Sequence, residues 1–337
     1  MTVAVELIGL VAHSLSRLLI GAIRQALIGS GLVGLVALRA IWQLTAEPAA
    51  PLDDSFIHLQ YARRLAEGSF FSYVPGEGYS SGATSFLWPL LLAPFHALGL
   101  HGVSLIWAAW LLGTLAHAAL AVETFRLAER LAGRAAAAGA GAMCTLFAAF
   151  AWFAWSGMET ILLAWILVRS ARASAAFCEP ARGSPRPGEA QLIALGLLAP
   201  LVRPEGALCS LMVALALAAR PAQGRHARRL LALLPLGGPL IVPLLHTIFA
   251  GHATSSTTMV KWLLANPAYT REQVKGLIGS NVRLLFTSIL DGGDWTAIFL
   301  PEHFSLLLLL GAAALCAATL RRRLPYHALF TALVVLG

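Results

Sequence analysis

Residues 86–100, FLWPLLLAPFHALGL, decide how this chain is threaded. The run is apolar, but it holds only about 15 residues and is interrupted by Pro89 and Pro94, whereas a bilayer core needs about 20 helical residues. If it does not cross, Arg126, Arg130, Arg134, Arg169, Arg172, Arg182, Arg186, Arg220, Arg225, Arg228, Arg229 and Arg321 to Arg323 fall on one side. The positive-inside rule makes that side the cytoplasm. The opposite side then keeps Arg63, Arg64, Arg203, Lys261, Arg271, Lys275 and Arg283, although its loops are longer. A crossing at 86–100 would separate the 45–85 loop from the later outward loops and break the bias at one end. The segment is therefore read as non-spanning.

The composition agrees with a membrane setting. Of 337 residues, 58% are hydrophobic and 12% charged, with a mean hydropathy of +0.75, whereas a soluble surface needs roughly a quarter charged residues. This excludes an ordinary soluble enzyme, a disulfide-stapled secreted domain and a disordered tail. The 24 basic and 16 acidic residues give a net charge of +8, which topology explains without nucleic acid. Cys144, Cys178, Cys209 and Cys316 have no metal-ligand or CxxC spacing and read as small apolar residues.

An all-α polytopic protein of one domain, 1–337, is expected, with about nine transmembrane helices. Spans are marked near 25–44, 103–122, 135–155, 158–171, 190–202, 206–219, 230–249, 304–320 and from 325 onward. Within an N-terminal stretch of 1–24, residues 3–22 carry His13, Ser14, Ser16 and Arg17 on an apolar pattern and read as an interfacial helix. The apolar run after Pro325 is too short to cross, so the native protein is expected to continue beyond Gly337.

With this threading the outward face has a large first loop, 45–102, a second, 250–303, and tight turns near 156–159 and 203–206. Glu47, Asp53, Asp54, Glu67, Glu77, Glu159, Glu205, Glu272, Asp291, Asp294 and Glu302 all collect there. Charge placement points to chemistry outside. The Pro/Gly/Arg-rich cytoplasmic loops read as topological anchors.

The first loop opens Pro51-Leu52-Asp53-Asp54-Ser55-Phe56-Ile57-His58. Apolar residues at 56, 57, 61, 62 and 65 predict a short helix ended by Gly68. One aspartate suffices as its cap. A second adjacent carboxylate at a bilayer edge suits a general base, a metal ligand or the partner of a cation. The following stretch, 68–85, rich in Gly, Ser and aromatics, predicts an ordered loop whose aromatics pack on the interface or cover a lipid-linked substrate.

Ser156-Gly157-Met158-Glu159 has the form of a capping box. In Arg203-Pro204-Glu205-Gly206 the proline and glutamate suit a helix start, but the arginine calls for a carboxylate or phosphate partner. The second loop begins Gly251-His252 and continues through Ser255-Ser256-Thr257 to Lys261-Trp262. Alone, these read as a solvated loop with an interfacial Lys and Trp.

Taken in order, Asp53-Asp54-Ser55-Phe56-Ile57, Pro75-Gly76-Glu77, Gly157-Met158-Glu159-Thr160 and Arg203-Pro204-Glu205-Gly206 resemble the GT-C membrane glycosyltransferases, which use polyprenyl-phosphate sugars. Within them the chain is similar to the branch containing the mycobacterial terminal arabinofuranosyltransferase. The branch's fifth motif, Leu-Pro-Asn-Thr-x-x-x-Lys, is altered: Ser255-Ser256-Thr257 stands where Pro-Asn-Thr is usual, and Lys261 keeps the lysine position.

The resemblance covers about 25 to about 335. It implies inverting sugar transfer on the outer face of the plasma membrane, from a polyprenyl-phosphate donor to a glycan, lipid or protein acceptor of the cell envelope. It places Asp53 as base and Asp54 as positioning residue. Arg203 and Lys261 match the family's cationic positions toward the donor phosphate, and His252 joins them by location. Glu159, Glu205 and Glu77 would orient the arginine or the acceptor. Some members of the superfamily use a divalent cation and others do not, which leaves Asp53 and Asp54 open as metal ligands. The resemblance also implies that 86–100 is a juxtamembrane helix.

Two other readings compete. A transporter or channel-like binder of an organic anion would use outward acids and a lone arginine, but such proteins place charges at the midplane and carry internal repeats. A degenerate scaffold subunit would explain the altered 255–257 motif. The threading has a direct test: Glu77→Cys, Glu205→Cys and Thr270→Cys should react with an impermeant thiol reagent from outside, and Ser184→Cys and Gly224→Cys should not. Labelling of 77 and 205 from opposite sides would show that 86–100 crosses.

Overall fold

A computed structural model describes residues 2–180, 186–219, 230–256, 268–291 and 303–336, with the single positions 259 and 264. Among them the regular structure is helical, with one isolated bridge between Ser72 and Tyr79. In order the helices are α1 (Thr2–Thr45), α2 (Asp53–Ala66), α3 (Leu87–Ala97), α4 (Ile106–Ala132), α5 (Arg134–Leu146), α6 (Ala148–Trp155), α7 (Thr160–Cys178), α8 (Glu189–Val202), α9 (Ala207–Ala219), α10 (Gly238–Ala250), α11 (Arg271–Asp291), α12 (Phe304–Arg321) and α13 (Pro325–Leu336).

Among the described residues three stretches, Ile20–Thr45, Gly102–Ala132 and Thr160–Cys178, are long and apolar enough to cross a membrane, and the bent pair α5 and α6 makes a fourth if it is one span. The other apolar helices are shorter. The stretch read as interfacial and the first span form one continuous helix, α1. The α3 helix, at 11 residues, is about 16 Å long at 1.5 Å per residue, half a bilayer core.

The chain forms two compact units. The first comprises residues 1–52 and 106–165, and the second 53–105 and 166–337.

In the first unit, α1, α4, α5 and α6 pack on one another. Leu32, Leu35 and Val36 of α1 are exposed, as suits a surface bathed in lipid rather than water. The single span expected over 135–155 is instead broken, with a 50° bend between α5 and α6. No proline causes the bend; Phe147 adopts an extended ψ of 115° and stops α5.

A helix break frees carbonyls, and an apolar surrounding offers no water to satisfy them. One stripe of α4 supplies the partners. Trp110 donates its indole N–H to Trp155 O at 2.8 Å, and His117 Nε2 donates to Cys144 O at 3.3 Å. Between them Gly113 lets α6 approach so closely that a Cβ there would lie 2.0 Å from Ala154 O.

In the second unit α8 packs on α9 and α10, and α2 packs on α3. Pro200 has no N–H for the Gly196 carbonyl four residues earlier. The Ser210 hydroxyl donates to that carbonyl instead, at 2.6 Å. Gly196 is itself a contact point, since a Cβ there would lie 2.6 Å from Pro235 Cβ. Near the arginine-rich end, Glu179 follows α7 and accepts the N–H groups of Tyr326 and His327 at 3.1 and 3.3 Å, capping α13, and its carboxylate also meets His327 Nδ1 at 2.7 Å.

Gly113→Ala tests the close approach in the first unit. Overpacking against a backbone carbonyl should cost about 1–3 kcal/mol, read as a lower thermal unfolding midpoint of the purified protein. An unchanged midpoint would mean that α4 and α6 do not meet there.

Candidate active site

The described candidates of the second unit lie on α2 and on the segments that surround the first loop. Asp53 and Asp54 occupy the first turn of α2 and are exposed. The cap takes a local form: Asp53 Oδ1 accepts the N–H of Asp54 at 2.9 Å. Negative charge in this turn is favoured by the helix dipole. Gly68, at φ +82°, lies just beyond the helix end, and the buried Arg64 ties the exit by bonding Glu67 and, at 2.9 Å, Ser69 Oγ. Of the positions read as the apolar face, Tyr61 and Ala62 are buried, whereas Phe56 is exposed. Ser55 and His58 are buried on the inner side instead.

The loop after α2 is ordered around its aromatics. Tyr61, Phe71, Ala83 and Phe86 form a core on which Leu201 of α8 and Val242 and Leu245 of α10 pack. Fully burying a side chain such as Phe71 or Phe86 is worth about 1.5–3 kcal/mol. Phe70 and Tyr73 remain exposed. The Pro75-Gly76 turn, with Gly76 at φ +81°, carries Glu77, which is exposed.

Four ties fix this loop to its neighbours. The Phe86 N–H donates to Leu201 O at 2.8 Å. The Tyr79 hydroxyl is hydrogen-bonded to His246 Nδ1 at 2.7 Å. Phe249 packs against Phe70 and Tyr79 with ring centroids 5.2 and 5.3 Å away. The Ser256 N–H donates to Ser81 Oγ at 3.2 Å. Burial pushes the Tyr79 phenol up to about 12, and burial also raises Tyr61, whose hydroxyl donates to Ser80 Oγ at 2.9 Å. Both phenols are therefore neutral.

These ties bring the α2 loop, the end of α8 and the start of the second loop into one cluster. Arg203 ends α8 in an extended conformation. Its Nη2 and Nε meet Glu205 Oε1 and Oε2 at 3.0 and 3.3 Å. With Glu205 more than half exposed, such a pair contributes under about 1 kcal/mol. Its effect is to orient the guanidinium. Gly206 folds this turn back on α8, since a Cβ there would lie 2.2 Å from Ala199 O.

His252 is half-buried and its Nδ1 donates to Thr254 O at 2.7 Å. Ser256 reaches the first loop through its backbone N–H, while Lys261 and Thr257 lie outside the described residues.

Glu159 belongs to the first unit and is fully buried. The helix expected to follow Ser156 directly starts later. The α7 helix begins at Thr160, so Glu159 takes the cap position, and Ser156 is too early. The Ser156 hydroxyl instead accepts the Met158 N–H at 3.2 Å and donates to Phe153 O at 2.9 Å, forming a local turn.

Sequence reasoning passed over His246. Its signal was a polar residue within an apolar run, which asks for a partner. Among the described residues, no group of three or more His, Cys, Asp or Glu side chains could hold a metal ion. The chain matches no family model, no curated protein and no solved structure.

Gly206→Ala should disturb the Arg203 turn, because the atoms a Cβ would meet belong to the Ala199 and Pro200 backbone rather than to a movable side chain, at a cost of about 1–3 kcal/mol. Thermal unfolding reads this out; a midpoint equal to that of the parent would contradict the folded-back turn.

Proposed function

We propose that the chain is an inverting glycosyltransferase that moves a sugar from a polyprenyl-phosphate donor to a cell-envelope glycan, lipid or protein acceptor on the extracytoplasmic face. The observation that carries this reading is the cluster around the first loop. The helix with Asp53 and Asp54 in its first turn leads into a loop held to the end of α8, two residues before Arg203, and to the start of the second outward loop. A carboxylate and a guanidinium in one unit are the two charges that an inverting transfer needs.

In this mechanism Asp53 takes the proton of an acceptor hydroxyl. The hydroxyl oxygen attacks the anomeric carbon from the face opposite the phosphate, the bond from that carbon to the phosphate oxygen breaks, and the polyprenyl phosphate leaves with the electron pair. Arg203, oriented by Glu205, stabilises the negative charge on the leaving phosphate. His252 and Lys261 are assigned to the same phosphate, and Glu77 to orientation of the acceptor. Asp54 positions the acceptor, and no step is routed through a metal. The reading includes a bundle of about nine spans in which the short apolar helices cross together with their flanking residues.

Purified protein incubated with a panel of radiolabelled polyprenyl-phosphate sugars should transfer or release sugar. Asp53→Asn should lower turnover 10²–10⁴-fold, roughly the worth of positioned proton transfer, with folding intact because an Asn carbonyl can still accept the Asp54 N–H. Arg203→Gln should raise the donor KM and lower kcat together. Near-normal transfer by both Asp53→Asn and Asp54→Asn would place the base elsewhere, and absence of turnover with every donor would count against a transferase.

A further inference from the structure

The first loop contains a cavity of about 450 Å³ that the mechanism above does not use. Phe56, Gln60 and Arg63 of α2 line one wall, Tyr73 and Val103 contribute from the loop segments, and His96 comes from α3. Its size falls in the range of small-molecule sites, which combine apolar surface with a few fixed polar groups.

The position of the cavity along α2 gives it direction. Asp53, Phe56, Gln60 and Arg63 are spaced i, i+3, i+7 and i+10, so they share one side of the helix. At 1.5 Å per residue, Gln60 lies about 10 Å along the axis from Asp53. Asp54, turned by about 100°, is off this side. A molecule lying along the cavity would therefore extend away from the carboxylate assigned as base.

The chemistry of the lining selects an uncharged ligand. The Arg63 guanidinium is already met by Glu67 at 2.7 Å, and that pairing holds the Glu67 carboxyl below its usual range. Burial, with His101 alongside, holds the His96 imidazole below its usual range, so it is neutral at neutral pH. Phosphate sites need uncompensated donors and positive charge. Here the amide of Gln60 is fixed by donating from Nε2 to Tyr73 O at 2.8 Å, and the rings of Phe56 and Tyr73 are each more than a third exposed. Neutral hydrogen-bonding groups beside aromatic faces suit the hydroxyls and C–H faces of a sugar.

We propose that this cavity is an acceptor subsite that binds uncharged sugar residues of the glycan whose hydroxyl reaches Asp53. Its role toward an acceptor rests on the transferase reading, but the binding is measurable without turnover.

The test uses the full chain in lipid nanodiscs and saturation-transfer NMR with methyl glycosides of common hexopyranoses, hexofuranoses and pentofuranoses. At least one glycoside should bind, with a Kd of about millimolar. Phe56→Ala and Gln60→Ala should each weaken it about fivefold or more, through loss of a ring contact or a hydrogen bond. Val103→Trp, at a position about half exposed, should block binding by filling the cavity. Excess inorganic phosphate should not displace the glycoside.

The proposal is overturned if no glycoside binds, if Val103→Trp leaves binding intact, or if phosphate displaces the sugar. Binding lost in Val103→Trp, in a chain that transfers no sugar from any donor, would support the cavity as a glycan site and remove the transferase reading instead.

Discussion

The hydrogen bond from the Phe86 N–H to the Leu201 carbonyl joins two groups that have no partner within their own helices. Phe86 stands at the start of α3, where the first N–H groups are orphaned, and Leu201 at the end of α8, where the last carbonyls are. In an apolar setting neither can be left to water, and each unmet group costs several kcal/mol. The loop that carries the aspartate helix is thus anchored to the helix that ends at Arg203 by a bond that neither side can easily forgo. The aromatic core around Phe71 and Phe86 then fills the space that the bond defines.

The same requirement recurs wherever a helix stops or is interrupted. Glu179 receives the first N–H groups of α13, Ser210 takes the carbonyl that Pro200 leaves without a donor, and Trp110 and His117 serve the ends of α6 and α5. These partners come from neighbouring helices, so each satisfied end also fixes a packing contact. Short helices gain definition from this arrangement that their own length cannot supply. A functional consequence is that the Arg203 turn is held from two directions, by the folded-back glycine at 206 and by the loop bonded to Leu201.

Much of this was legible from residue patterns. Most helix locations followed from apolar runs and the α2 helix from its spacing and Gly68, and the shortness of α3 from the length of its apolar run, although the helix continues through Pro94; α11 lies within the stretch read as the second loop. The Arg203-Glu205 pair followed from the demand of an edge arginine for a carboxylate. The break at Phe147 was not legible, because no proline or glycine marks it; its stability comes from α4 residues distant in sequence. The late start of α7 has a similar cause. The motif Ser-x-x-Glu fits a capping box only if the helix begins right after the serine, and here it begins at Thr160, which the local letters do not fix. Phe56 reads as core by hydrophobicity alone, whereas the packed side of α2 is set by Ser55, His58 and Tyr61.

The approach of Ser256 to the first loop also takes its meaning from what lies opposite. Ser256 approaches the first loop through its backbone N–H, which reaches Ser81 Oγ, and its own hydroxyl is 3.6 Å from where a Cβ of Gly82 would stand. Three small residues in succession, Ser80, Ser81 and Gly82, allow the second loop to come this near. A longer side chain at 256 would span such a gap with its own polar end; a serine requires the backbone to close it. The small residues on the first loop and the small residue on the second therefore form a matched pair, and the contact between the two loops is kept by proximity of backbone.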